Sequence, residues 1–321
     1  MLLLDENDVS SVLDMPSTIR QIESAFQEMG KGKATTPPRF RMVVPNSFGT
    51  IRLMATALQD SRISGTKVLT GTAGHREAER TYFLLLLFDY DDGSVKCVMS
   101  ANRLTQLRTG AVSAVATKYL ARKDSRTLGV IGAGIQGQGQ AEAICTVARI
   151  EGGFVYDLEK GKAKALAKSV RDRYGVGLEV VENVGAAAKA DILSTATTST
   201  LPFLTSSMVK PGTHINAIGS NLPSRKELDV SLLKAAKVVV DSRDQALEES
   251  GDLEPVRVGT LPRETLYAEL ADVVSGKKPG RTSNSEITVF KSVGLALQDV
   301  AAAELAYLQA RKLGKGRTLT L

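Results

Sequence analysis

The segment Leu128-Gly129-Val130-Ile131-Gly132-Ala133-Gly134-Ile135-Gln136-Gly137 constrains this chain more than any other. It reads as an apolar strand running into a glycine turn, with a helical segment behind it. Gly132 permits the tight turn, Gly134 lets the backbone approach a pyrophosphate, and Gly137 lets helix and strand pack closely. N–H groups at the helix N-terminus then receive the negative charge. Asp157 ends the next expected strand, close to the ~20-residue separation at which a carboxylate meets the ribose hydroxyls. A carboxylate there repels a 2′-phosphate, so the sequence favours NAD over NADP. The plainer alternative is a glycine turn that only shapes a strand–helix connection. The strand before it, the helix after it and Asp157 weigh against that.

Around this turn strands and helices alternate. Strands are expected at 127–131, 153–156, 178–181, 192–195, 213–218 and 237–240, with helices at 137–149, 160–174 and 183–189. That order marks an α/β fold, a doubly wound parallel Rossmann sheet. Ser194-Thr195-Ala196-Thr197 and Ala217-Ile218-Gly219-Ser220 each end a parallel strand, where ligands of such sheets sit. Thr195, Thr197, Ile218 and Gly219 therefore join Gly132, Gly134, Ile135, Gln136 and Asp157 as candidate cofactor contacts.

The first third has a different rhythm. A helix is expected over 7–30, then a break at Pro37-Pro38 and strands at 41–44, 50–56, 65–69 and 83–88. Asp91-Asp92-Gly93 turns the chain into a returning strand at 94–99, which implies an antiparallel or mixed sheet. A helix over 105–122, with Thr105 as its cap, precedes the alternating region. The stretch 287–312, rich in alanine and leucine, reads as one long helix that packs back on the first domain or spans both. A chain of 321 residues exceeds the usual size of one domain. The expected division is a Rossmann domain over 122–294 and an α+β domain from 1–121 plus 295–321.

Composition narrows the function classes. The net charge of +6 comes from 41 basic and 35 acidic residues without a long basic run, so a nucleic-acid face is not expected. Cys97 and Cys145 are too far apart for a zinc pattern or disulfide framework, and fit packed thiols in a reducing cytoplasm. With only His75 and His214, a multi-histidine metal site is excluded; no metal is expected. The apolar run Phe83 to Phe88 is far short of the roughly 20 residues that a membrane span needs. No signal peptide is visible, since Met1-Leu2-Leu3-Leu4 runs directly into Asp5, Glu6 and Asp8. A soluble, cytoplasmic protein is the expectation.

Further segments carry a resemblance. They are Arg108-Thr109-Gly110-Ala111-Val112-Ser113-Ala114 with Lys118-Tyr119-Leu120, Lys210-Pro211-Gly212-Thr213-His214-Ile215-Asn216-Ala217-Ile218-Gly219, and Glu227-Leu228-Asp229. Val240-Asp241-Ser242, Glu249-Ser250-Gly251-Asp252 and Thr288-Val289-Phe290-Lys291-Ser292-Val293-Gly294 complete the series. Together with the glycine turn, they make the chain resemble the ornithine cyclodeaminase/mu-crystallin family, which includes archaeal-type alanine dehydrogenases and ketimine reductases. The resemblance implies a homodimer whose N-terminal domain binds substrate and builds the dimer sheet. It places Lys67, Arg108 and one arginine of Pro38-Arg39-Phe40-Arg41 at the substrate. The local match to Arg followed by Val-Val-Pro favours Arg41, whereas ungapped counting from Lys67 favours Arg39. It puts Arg108, Thr109, Asp157 and Ser292 at the cofactor and Val293 near the substrate. The stretch from Gly71 to Arg80 is shorter than usual in the family and carries His75.

One position departs from the cyclodeaminases. They carry an aspartate two residues after the Gly219 position, where this chain has Asn221. An amide cannot act as a base or hold an ammonium as a carboxylate does. Hydride transfer survives the change. It requires a clamped carboxylate, a reacting carbon set against the nicotinamide, and a managed proton. Arg108 suits the clamp. Lys67, between Thr66 and Val68 in an apolar strand, suits carboxylate binding or proton exchange; the alternative is a strand lysine facing solvent. Asn221 is either a neutral partner near the amine or a turn asparagine before Pro223. The leading expectation is an NAD-dependent oxidoreductase of a small 2-amino or 2-imino acid, alanine dehydrogenase-like or a cyclic ketimine reductase, working with amino, imino or 2-oxo acids. Ornithine cyclodeaminase, a lyase that uses NAD catalytically, is the alternative from another class. A non-enzymatic ligand-binding protein that keeps the cofactor fold is the third, and Lys67 with Arg108 argues against it.

Overall fold

Thr127–Ile131, the strand ahead of the glycine turn, pairs in parallel on both sides, with Gly152–Tyr156 and with Ile192–Thr195. Its last four residues are buried, as expected of a parallel strand covered on both faces. The computed structural model describes residues 1–45, 49–72 and 81–320. It resolves two units, Met1–Arg108 with Leu295–Leu321 and Thr109–Gly294; the division falls inside the Asn102–Leu120 helix.

The Thr109–Gly294 unit holds an all-parallel sheet in the order Gly177–Val180, Gly152–Tyr156, Thr127–Ile131, Ile192–Thr195, His214–Ala217, Ile287–Lys291, Ala236–Val240, Leu266–Glu269. Strand order runs outward in both directions from Thr127–Ile131. The glycine turn therefore stands at the topological switch point, where ligands of such sheets bind. One apolar cluster joins Leu128, Val130 and Val155 to Ala141, Ile144 and Leu166 of the helices. A second gathers Ile131, Leu193, Ile215, Val240 and Val289.

Two expectations are corrected here. The parallel sheet does not close at 237–240, because Leu266–Glu269 extends its edge. The stretch 287–312 is not one helix either. Ile287–Lys291 is a strand inserted between His214–Ala217 and Ala236–Val240. Ile287, Thr288, Val289 and Phe290 are β-branched or aromatic and suit a buried strand. Gly294, at φ 84°, separates them from the helix Ala296–Leu313.

The other unit holds a mixed sheet. Its order is Arg317–Thr318, Leu2–Leu4, Val95–Ser100, Thr81–Asp89, Ile63–Thr72, Gly49–Leu58, Ala34–Thr35, with Phe40–Val44 also paired to Gly49–Leu58. Among the described residues of this sheet, only Leu2–Leu4 with Val95–Ser100 is parallel. Alternation puts Met54, Lys67, Leu85 and Met99 in one cross-strand row, all buried. The helix Ala296–Leu313 lies over the central strands of this sheet. A β-carbon on Gly65 would run into Val300, so glycine is what lets strand and helix meet there.

Two helix starts differ from expectation. Residues 7–30 form two helices, Glu6–Val12 and Met15–Gly30, because Asp14 caps the Ser17 N–H and Pro16 begins a new turn. Thr105 is not a cap, for the helix starts at Asn102. The Glu6 carboxylate accepts from the N–H groups of Asn102 and Arg103, a cap supplied from far away in sequence. Among the described residues no helix is long and apolar enough to cross a membrane, and no three metal-ligating side chains cluster.

Candidate active site

In the Thr109–Gly294 unit the glycine turn is built for a ligand rather than only for the fold. Gly132 has φ 94°, and a β-carbon there would strike the Ala196 carbonyl. A β-carbon on Gly137 would collide with the Gly132 carbonyl. Both glycines are needed by the chain itself. Gly134 is different: an added β-carbon meets nothing within 4 Å. It is also the N-cap of the helix Ile135–Val147 and supplies no side-chain cap. Open space over an uncapped helix N-terminus is what a pyrophosphate requires. Gln136 Oε1 nearby is buried without a hydrogen-bond partner among the described residues. Asp157 is held against the turn: Oδ2 accepts from Ala133 N–H at 2.7 Å and Oδ1 from Glu159 N–H at 2.8 Å. A dinucleotide fits this cradle.

Across the switch point, the strand-end residues are tied down by buried acids. Thr195 and Thr197 donate their hydroxyls to Glu227, each at 2.8 Å. Ser292 donates its hydroxyl to Asp241 at 2.8 Å, and the same oxygen accepts from Val293 and Gly294 N–H. Ile218 and Val293 are buried and Gly219 is partly so. Thr109 is buried, and its carbonyl accepts from Gln140. Asn221 is half-buried in a turn, its N–H donating to the Gly219 carbonyl and its Oδ1 accepting from Arg225 at 3.2 Å. His214 is a fully buried strand residue beside Thr288, kept neutral by burial, which lowers its pKa to about 3. His75 lies outside the described residues.

In the other unit, Lys67 does not face solvent. Its ammonium donates to Asp299 Oδ1 at 2.6 Å, with both side chains at most 1% exposed. Arg108 Nε lies 3.0 Å from the same oxygen, and Arg108 Nη1 donates to Gln298 Oε1 at 2.7 Å. Asp299 Oδ2 is buried without a hydrogen-bond partner among the described residues. Two cations thus share one carboxylate, and the excess positive charge suits an incoming carboxylate. Burial pulls the Lys67 pKa down to about 7, Asp299 opposing and Arg108 and Arg39 adding to the fall. Arg39 is half-buried, whereas Arg41 is exposed and stands opposite Arg52 in the sheet. Of the two, Arg39 is the one whose charge bears on Lys67.

Asp299 is not among the residues that the sequence points to, and Glu227 and Asp241 enter there only within the segments that carry the resemblance. Asp299 lies in the first turn of the helix Ala296–Leu313, where an acid carries no site signal of its own.

Comparison with known proteins follows the same lines. The family model described as "Ornithine cyclodeaminase/mu-crystallin family" matches residues 1–313. A Delta(1)-pyrroline-2-carboxylate reductase of Bacillus cereus is 35% identical over 99% of each chain. The solved Thermococcus litoralis Delta(1)-pyrroline-2-carboxylate reductase in complex with NADH and L-proline superposes with TM-score 0.94 at 39% identity, covering 99% of this chain and 100% of that one. An archaeal alanine dehydrogenase dimer with bound NAD gives TM-score 0.94 at 35% identity over 100% and 99% of the two chains.

Proposed function

From the premise that this chain belongs to the ornithine cyclodeaminase/mu-crystallin family, we propose that it reduces a cyclic ketimine carboxylate of the Δ1-pyrroline-2-carboxylate kind to the cyclic amino acid. The broader activity is an NAD-dependent oxidoreductase of small 2-amino and 2-imino acids, in keeping with the relatives. The observation that carries the broader reading is the buried Lys67–Asp299–Arg108 group, and similarity to the Delta(1)-pyrroline-2-carboxylate reductases supports the finer one. Arg108 and Lys67 bind the substrate carboxylate, with Arg39 rather than Arg41 beside them.

Reduction adds two electrons and two hydrogens across C=N. Bound NADH supplies the hydride to the imine carbon. Lys67, with a pKa of about 7, supplies the proton at nitrogen and recovers one from solvent. Asp299 keeps that ammonium populated in a buried place, and Arg108 fixes the carboxylate so that the carbon has one orientation. Met1–Arg108 with Leu295–Leu321 acts as the substrate-binding and dimerisation unit, and Thr109–Gly294 as the NAD-binding unit.

The face of the N-terminal sheet opposite Lys67 supports a homodimer. Phe40, Leu53 and Leu84 stand in one cross-strand row there, 57%, 39% and 45% exposed, and Met42 adjoins them. So contiguous an apolar sheet face suits a second copy of the chain. The thiols Cys97 and Cys145 are both unpaired, which fits a cytoplasmic setting.

The deciding experiment follows NADH absorbance with Δ1-pyrroline-2-carboxylate, with pyruvate plus ammonia, and with ornithine plus catalytic NAD. The cyclic imine should give the largest kcat/KM. A larger value for pyruvate with ammonia moves the assignment to alanine dehydrogenase. Rapid proline formation from ornithine without net NADH change would show that Asn221 is no obstacle to cyclodeamination.

A further inference from the structure

Below the loops that follow Ile192–Thr195 and His214–Ala217 lies a buried group of charges that the chemistry above leaves unused. Glu227 is fully buried. Its Oε1 accepts from the N–H and the hydroxyl of Thr197, both at 2.8 Å. Its Oε2 accepts from the Thr195 hydroxyl at 2.8 Å and from Gly219 N–H at 2.9 Å. Asp252 in turn accepts from the backbone N–H of Glu227 at 2.6 Å and of Leu228 at 2.9 Å. Its second oxygen lies 3.2 Å from the Lys291 ammonium, which also donates to the Ala217 carbonyl at 3.2 Å.

This arrangement favours a charge as well as a shape. A carboxylate accepts all four of these hydrogen bonds at once, two of them from backbone N–H groups that cannot reverse. Burial pushes Glu227 toward the neutral acid, and the nearby Lys291 opposes that. Two acids and one base leave a net negative charge out of reach of water. In a buried setting such a charge acts over a longer range than on the surface.

Strand order tells which part of a dinucleotide it meets. Asp157 ends Gly152–Tyr156, on one side of Thr127–Ile131, and takes the adenosine ribose. The remaining half of the cofactor then extends over the strands on the other side, first Ile192–Thr195 and His214–Ala217. Thr197 and Gly219, the groups Glu227 holds, follow those two strands. A nicotinamide ring is cationic when oxidised and neutral when reduced.

We propose that Glu227, with Asp252 and Lys291, is a positioning residue whose buried negative charge biases the bound cofactor toward NAD+ over NADH. The proposal rests on the NAD reading of this unit. It gives the cluster a function in setting the poise of the bound couple, separate from holding the loops together.

The test is equilibrium binding of each oxidation state to Glu227→Gln, with NADH read by its fluorescence, NAD+ by competition, and folding by thermal unfolding. Removing one charge from this buried cluster predicts that NAD+ affinity falls about tenfold more than NADH affinity. The potential of the bound two-electron couple then becomes more positive by about 30 mV. Equal losses for both nucleotides, or an unchanged ratio, overturn the proposal and leave Glu227 a scaffold for its loops. Should Glu227→Gln not fold, Asp252→Asn removes a charge from the same cluster and carries the same expectation. Failure of the parent protein to bind either nucleotide sinks the cofactor reading instead.

Discussion

Lys67 gives the residue scale its sharpest consequence, because the two directions of one reaction need opposite forms of it. In the proposed imine reduction the ammonium is the acid, so kcat/KM should fall as pH rises through about 7. Oxidation of the amino acid uses the free amine as base, so that arm should fall as pH drops through the same region. Asp299 raises the Lys67 pKa. Asp299→Asn should therefore move both arms toward acid by roughly 1–3 units. Stopped-flow pH profiles of the parent and this variant check it; profiles that coincide would remove Lys67 from proton transfer. Asp157 supports a second expectation. Asp157→Ser should narrow the NADH over NADPH preference in kcat/KM, and it should also weaken NADH binding, since Asp157 steadies Ala133. Equal use of both cofactors by the parent protein contradicts the assignment. At this scale Lys67 stood out as a charge inside an apolar strand and Asp157 as the acid that ends the strand after the glycine turn, whereas Arg108 came from the family resemblance. Asp299 could not be read from the sequence, because an acid in the first turn of a helix is ordinarily explained by the helix dipole. Only the packing of that helix over the sheet gives it Lys67 as a partner.

At the scale of elements, the glycine turn separates what the fold needs from what the ligand needs. Gly137→Ala should fail to fold or lose many degrees in Tm, because its β-carbon collides with the Gly132 carbonyl. Gly134→Val should keep its Tm within a few degrees yet bind NADH at least tenfold more weakly, the added side chain filling the space of the pyrophosphate. Calorimetry and fluorescence titration check the pair; a Gly134→Val protein that binds NADH normally would place the pyrophosphate elsewhere. The alternation that surrounds this turn was legible because short buried strands and amphipathic helices differ in period and length. Ile287–Lys291 escaped because it adjoins an alanine-rich helix, and a five-residue apolar run beside a helix carries no period of its own. The break at Asp14 was legible in principle, since an aspartate followed two residues later by proline is a helix start.

For the whole molecule, the apolar sheet face makes the assembly testable. Leu84→Arg should leave the fold intact, since Leu84 is exposed, while converting a dimer into a monomer in sedimentation or light scattering. A dimer that survives the substitution must be built on another face. The chain path has a separate consequence. Met1–Arg108 forms one unit with Leu295–Leu321, and the whole Thr109–Gly294 unit lies between them in sequence. The N-terminal ammonium donates to the Leu319 carbonyl, and Arg317–Thr318 pairs with Leu2–Leu4. A ribosome adding ~5–20 residues per second needs on the order of ten seconds or more to cross that interval. Throughout it, the nascent sheet lacks the helix that covers Lys67. A segment synthesised long after the first strands thus both covers them and delivers Asp299, so a chain cut short before Ala296 emerges without the acid partner of its lysine and exposed to the chaperones that patrol unfinished proteins.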